Sequence, residues 1–482
     1  MIKTRQIIKK WGSVSPMAKA SICFSLAMFL QKGLVSLTTP IFTRIMTTVE
    51  YEQYTVYHAW SGILTIVATL NLSSGVLNNL LVRGEYKRDT IVSALQGLSS
   101  VWAIGCVLIF LALCFFGVQI PSFSVYLWLI MLLSFVVTQA YDDWMVARRF
   151  TYDYKIPCLI MVIIAVMNIV LPLAFVLLAR RKGEAYILAT ILVNAVVGLV
   201  FWIYNWRKSH RVIVPAIWKQ ALLFNLPLLP HFLSLTVLNQ SDKIMIESLC
   251  EPGQAAIYSV AHTVAAIIQL LMTAVNYSLV PWTYQNLKIR RCREIANRSN
   301  AILLAVAVAL GVIILFAPEI MLIMAPLEYR EAVYIIPAMS VGIYFNYLYQ
   351  FYGRLEMYHR KNRYMMIGSV GCALANIALN AVFIRKYGYM AAAYTTLFCQ
   401  MALCVMHGVL AQRIVRKERY EVSPFANKQI LAISLSLLAV NFVMPMVYAS
   451  APVRWALIIG IMLAVLFNRK RIMRFVNKLV RD

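Results

Sequence analysis

The chain has 482 residues, of which 61% are hydrophobic and only 13% charged, with a net charge of +26 and a mean hydropathy of +0.74. A soluble domain of this length needs far more polar surface, so the apolar excess must face lipid. No stretch alternates apolar and polar residues in segments of about ten, which excludes a membrane β-barrel and leaves an all-α integral membrane protein.

The chain opens on a basic stretch in which Ile2, Ile7, Ile8 and Trp11 stand beside Lys3, Arg5, Lys9 and Lys10. That pattern suits a short helix on an anionic leaflet as well as a disordered tail. The apolar run after it is too long for a signal peptide and lacks a small-residue cleavage site. Runs long enough to cross roughly 30 Å of hydrocarbon then recur at 17–40, 54–82, 90–117, 122–147, 155–179, 184–206, 216–246, 254–282, 296–317, 331–353, 363–384, 388–412, 428–448 and 453–468. The expectation is therefore about 14 transmembrane helices.

Charge alternates between the connections. One set carries clusters such as Arg207, Lys208 and Arg211, or Lys288, Arg290, Arg291 and Arg293. With both tails, that side holds roughly 35 of the 45 Lys and Arg residues, against about eight on the other. Positive charge marks the cytoplasmic side, so both termini are expected there. The basic residues are spread over many short loops, which argues against nucleic acid as a partner.

No connection exceeds about sixteen residues, too little for a soluble catalytic domain. A phosphate-binding Gly-x-x-x-x-Gly-Lys-[Ser/Thr] loop and a His-Glu-x-x-His metal motif are both absent. The chain is expected to move a substrate rather than convert it, with no catalytic residue, cofactor or metal. Of the nine cysteines only Cys250 sits in an external turn, so no disulfide framework is implied.

Two stretches about 204 residues apart look alike. Arg44-Ile45-Met46, Tyr54-Thr55-Val56-Tyr57-His58-Ala59 and Asn71 correspond in order to Lys243-Ile244-Met245, Tyr258-Ser259-Val260-Ala261-His262-Thr263 and Asn276. Asn168-Ile169 and Asn376-Ile377 keep a similar offset. Six spans separate the pairs, so two parallel six-helix lobes are expected, 1–206 and 207–412, followed by a helix pair and basic tail at 413–482.

Ionisable residues inside spans are functional candidates, since a central charge costs about 2.5–3.5 kcal/mol by insertion scales. Lys32 lies deep in span 1, Asp242 and Lys243 in the outer part of span 7, and His262 in the outer part of span 8. His231 is near the middle of span 7, and both histidines read as satisfied buried groups. A pairing of Asp242 and Lys243 with Lys32 or Arg44 would serve either a cavity or a structural lock. Asp142, Asp143, Arg354 and Glu356 sit towards cytoplasmic ends, where solvated helix termini are expected. Polar residues recur on single helical faces: Asn71, Ser74 and Asn78 in span 2, and Gln269, Thr273 and Asn276 in span 8. In span 10, Tyr344, Tyr347 and Phe351 share a side, and such faces stack on sugar rings. Pro227 and Pro230 should bend span 7.

Several of these segments resemble Wzx-type polysaccharide flippases. They are Thr39-Pro40-Ile41-Phe42-Thr43-Arg44-Ile45-Met46 with Glu50-Tyr51-Glu52-Gln53-Tyr54, Pro227 to His231 leading to Asp242-Lys243-Ile244-Met245-Ile246, Pro281-Trp282, Ala317-Pro318-Glu319 with Tyr329-Arg330-Glu331-Ala332, and Asn376 to Asn380 before Tyr387-Gly388. The likeness covers nearly the whole chain. It departs at Glu52, where the family usually has glycine, which leaves the turn geometry there open.

The resemblance implies the superfamily that also holds multidrug extruders and lipid II flippases, with alternating access between two lobes. It implies a substrate of undecaprenyl-pyrophosphate-linked oligosaccharide (O-antigen, capsule or exopolysaccharide units) moved to the periplasmic leaflet of a bacterial inner membrane. Membrane lipid, a polysaccharide polymerase and chain-length proteins are the implied partners. On that basis Lys32, Lys243, Arg44 and Arg354 attract pyrophosphate. Asn71, Asn78, Gln269, Asn276, Tyr344 and Tyr347 contact sugar, and Asp242 couples transport to an ion gradient. A multidrug extruder, a lipid II flippase and a scaffold subunit of a synthesis complex are the alternatives. The cationic span 1 and the lack of a deep carboxylate in the N-terminal lobe favour an anionic cargo.

Overall fold

The computed structural model describes residues 16–359 and 361–467, and among them there is no strand. The basic N-terminal stretch lies outside the described residues. All the expected spans fall on helices, and two of those spans are broken. The chain divides into two compact units that part after Ala256.

The first unit holds α1 (Pro16–Ile45), α2 (Thr48–Thr69), α3 (Val76–Arg83), α4 (Arg88–Phe115), α5 (Val125–Phe150), α6 (Lys155–Leu178), α7 (Lys182–Ser209), α8 (Pro215–Asn225) and α9 (Leu229–Leu249). Local chemistry sets several starts. Thr47 caps α2, its hydroxyl accepting from Glu50 N at 3.2 Å while Glu50 Oε2 accepts from Thr47 N at 2.9 Å, which satisfies two otherwise orphaned donors. Pro215 opens α8 where its missing N–H costs nothing. The core is apolar and layered. Leu77, Leu95 and Ile217 fill one cluster, and Trp128, Met131 and Ile187 fill another. α7 approaches α5 at Gly198, where a Cβ would stand 2.8 Å from the Val137 backbone.

The expected continuous helix over 54–82 does not form. Leu70 and Asn71 adopt left-handed conformations, at φ 54° and 47°, and a 3-10 turn over Leu72–Ser74 separates α2 from α3. Asn71, Ser74 and Asn78 are therefore not one helical face. The physical reason is a tertiary bond. The Asn225 carboxamide donates to Leu70 O at 2.7 Å and Asn71 O at 3.0 Å, and accepts from Val76 N at 3.0 Å. It replaces the ladder that the break removes. Gly75 makes this possible, since a Cβ there would meet Asn225 Oδ1 at 2.3 Å. Asn225 itself ends α8, where the Pro227–Pro230 segment bends the span by 56°, as the two prolines predict.

Glu52 also differs from expectation. It lies within α2 rather than in a turn, so nothing there requires glycine. Its carboxylate accepts from Gly253 N at 2.7 Å and Ala255 N at 2.8 Å. Those donors open the next helix, α10 (Gln254–Lys288), and an anion is favoured at that end.

The second unit runs through α10 to α11 (Cys292–Leu315), α12 (Ala317–Met324), a 3-10 segment Leu327–Ile335, α13 (Ile336–Tyr358), α14 (Asn362–Tyr387), α15 (Met390–Lys417), α16 (Asn427–Tyr448) and α17 (Ala451–Phe467). α13 is buried almost end to end, packed among α11, α14, α15 and α16. Helix starts repeat along the chain: Arg88 and Cys292 are 204 residues apart, Lys155 and Asn362 207, Lys182 and Met390 208. Among the described residues, eleven helices are long and apolar enough to cross a bilayer, and the bent α8–α9 pair makes a twelfth. The protein is a multi-pass membrane protein.

Candidate functional site

The polar centre of the second unit is built on α13 and α10. Arg354 is only 4% exposed, and Nη2 donates to Asn276 Oδ1 at 2.5 Å. Asn276 in turn donates from Nδ2 to Gln350 Oε1 at 3.0 Å, and Gln350 lies one helical turn before Arg354. The guanidinium stacks over Phe351 at 4.3 Å from the ring centroid, and Phe351 meets Tyr347 edge-on at 5.2 Å. Tyr284 and Tyr347 lie in electrostatic range of it. Among the described residues, Arg354 Nε and Nη1 and the Tyr347 hydroxyl are buried without a well-formed hydrogen bond.

That geometry corrects the expectation of a solvated helix end. Arg354 and Asp143, as well as Glu356, are buried, because neighbouring helices cover the end that sequence position alone places near water. A buried cation whose donors are incompletely satisfied is costly unless something anionic joins it. The cavity beside it, lined by Thr283, Ser299, Phe351 and Arg354 among others, holds about 10 Å³, room for one water. A diphosphate would therefore need this site to open.

The other sequence-selected residues fall in several places. Lys243 and Asp242 are buried on α9, with Lys243 Nζ donating to Gln240 Oε1 at 3.1 Å and His58 of α2 in electrostatic range. Arg44 is exposed at the end of α1, where Nη1 donates to Pro40 O at 2.8 Å. Lys32 lies within α1, but its side chain is outside the described residues. Asn78 and Gln269 are exposed and Asn71 half-buried. Tyr344 is buried and accepts from Ser434 Oγ of α16 at 3.4 Å. Thus the structure joins Arg354, Asn276 and Tyr347 in one place, while Tyr344 faces a different helix.

Sequence reading missed two polar groups. Gln96, Asn205, Ser100 and Trp202 stitch α4 to α7, with Asn205 Nδ2 donating to Gln96 Oε1 and to Ala140 O of α5, each at 3.0 Å. Trp202 Nε1 donates to Ser100 Oγ at 3.0 Å. In the second unit, His407 Nδ1 lies 2.8 Å and 3.0 Å from the two carboxylate oxygens of Glu356. The usable signal was a histidine and a carboxylate two spans apart in the chain. Among the described residues no cluster of His, Cys, Asp and Glu could hold a metal ion.

A family model described as polysaccharide biosynthesis protein matches residues 17–287, more than half of the chain. No curated protein matches. Among solved structures, the lipid II flippase MurJ in an inward closed conformation is similar, with TM-score 0.69 and 15% identity over 94% of this chain and 100% of that one. An inward-facing multidrug resistance transporter of the MATE family is similar at TM-score 0.61, with 15% identity over 83% of this chain and 100% of that one. A MOP superfamily transporter from Pyrococcus furiosus follows at TM-score 0.58, with 16% identity over 83% and 96%. The fold is that of MOP superfamily transporters.

Proposed function

Because the chain belongs to the polysaccharide biosynthesis protein family, we propose that it is a flippase for undecaprenyl-pyrophosphate-linked oligosaccharide. In this reading it carries the glycan from the cytoplasmic to the periplasmic leaflet of a bacterial inner membrane by alternating access, with both termini cytoplasmic. It performs no covalent chemistry. Two parallel six-helix lobes, 1–206 and 207–412, move against one another, and the pair after 413 is accessory.

The observation that carries the reading is Arg354. A buried guanidinium with two nitrogens that lack a well-formed hydrogen bond, beside the Tyr347 hydroxyl, is shaped for a phosphate oxygen, which accepts charge-assisted hydrogen bonds in the planar fork that arginine offers. Asn276, Gln350 and Tyr347 beside it supply the amide and hydroxyl groups that sugars bond. Lys32 and Arg44 of the first lobe and Lys243 of the second add further cations. Asp242 is the carboxylate through which an ion gradient drives the cycle, since one charge moved through 100 mV yields about 2.3 kcal/mol.

Deletion of the gene, followed by analysis of lipid-linked intermediates, tests the reading. Undecaprenyl-linked oligosaccharide should accumulate while surface glycan is lost. Normal glycan together with new sensitivity to cationic drugs would instead identify a multidrug extruder.

A further inference from the structure

The Glu356–His407 contact lies outside the site just described, and its chemistry is that of a proton carrier. Both side chains are sealed from solvent, at 0% and 1% exposure, on α13 and α15, which pack together closely. Among the described residues, neither has another ion-pair partner. An isolated carboxylate there would be far too costly, and an apolar pair would hold the helices at lower cost. The titratable neighbours are few. On α13, Tyr349 has its ring centroid 5.4 Å from the imidazole, and Tyr352 packs against Gly408 beside His407. Cys404 lies one turn before His407 on α15. From α14 come Cys372, which bonds to Cys399 O, and Lys361 just before the helix, whose backbone N donates to Glu356 O at 2.8 Å. From α11 and α16 no charged side chain among the described residues bonds to either member.

We propose that Glu356 and His407 form the proton-binding site that couples transport to a proton gradient. The proposal rests on the transport reading above and adds a coupling site beyond Asp242. With the carboxylate ionised, the Nδ1–H must be the donor between them, so the exchangeable proton binds at Nε2. That nitrogen faces α14, 3.3 Å from where a Cβ on Gly368 would lie. Taking up one proton from water changes the pair from net −1 to net neutral, and releasing it to water restores −1. The neutral pair is the one a low-dielectric interior favours, so proton release loosens α13 from α15. Arg354 and Glu356 are two residues apart on α13 and point about 200° apart around it. A shift of α13 driven on one face therefore moves the anion-binding arginine on the other.

The test is pH-difference infrared spectroscopy on the full-length protein in liposomes, with thermal unfolding measured across the same pH range, roughly 5 to 8 where imidazole ordinarily titrates. The wild type should gain an imidazolium signal on acidification and show a pH-dependent step in melting temperature. Since the chain has five other histidines, the pair's contribution is the part of the signal and of the step that disappears in His407→Gln and is displaced in Glu356→Gln. A purely structural lock predicts equal destabilisation at every pH with unchanged difference spectra, and that result overturns the proposal. In cells, glycan export by Glu356→Gln should respond less to an uncoupler than export by the wild type. If the deletion strain keeps normal glycan, the transport reading fails while the spectra still decide the proton site. If glycan depends on the gene but the pair binds no proton, this proposal alone fails.

Discussion

At the residue scale, Arg354 separates stability from function. Its guanidinium is buried with donors that lack well-formed hydrogen bonds, so the fold loses free energy by keeping it. Arg354→Met preserves the volume and removes the charge, as when buried ionic groups are replaced by apolar ones at no cost or a gain of about 1–4 kcal/mol. The expected outcome is an unchanged or higher melting temperature and at least a tenfold loss of surface glycan export. A variant that unfolds, or that exports normally, contradicts the role. Sequence alone identified Arg354, Asn276 and Tyr347 as polar candidates, but it read the arginine as a solvated helix end. Exposure depends on what packs against a residue, and the covering elements α10 and α11 lie about 40 to 80 residues away. Glu52 makes the same point in reverse. Its mismatch with the family pattern was visible, whereas its two backbone donors at Gly253 and Ala255 became visible only in three dimensions.

At the element scale, the two broken spans behave differently with respect to sequence. The 56° bend between α8 and α9 follows from Pro227 and Pro230, because proline removes a ladder donor and clashes with the preceding turn. The break between α2 and α3 has no proline, and its left-handed residues are Leu70 and Asn71. Only the carboxamide of Asn225 explains it, since that side chain satisfies three backbone groups that the break would otherwise orphan. Asn225→Ala should therefore cost about 2–3 kcal/mol, the loss of several buried partners at about 1 kcal/mol each. Thermal unfolding in detergent measures it. Gly75→Ala should destabilise through the same contact, by displacing the Asn225 amide. If Asn225→Ala leaves the melting temperature unchanged, water or another side chain replaces the amide and the break is intrinsic to α2.

At the scale of the whole molecule, orientation is the property most open to a direct check. If both termini are cytoplasmic as proposed, the turn between α9 and α10, which holds Cys250, lies outside. A membrane-impermeant maleimide applied to spheroplasts should label Cys250, with labelling abolished in Cys250→Ser. Labelling that requires lysis would invert the topology and the direction of transport with it.

Composition and charge, acting over the full length, determined that the chain is helical and crosses a membrane many times. Those properties arise from lipid contact and loop charge, which each segment carries by itself. Tertiary structure decided that α2 breaks from α3, which charges are buried, and that Glu356 meets His407. Each of these depends on groups brought together from distant segments, where desolvation and hydrogen-bond satisfaction are properties of the pair and not of either residue.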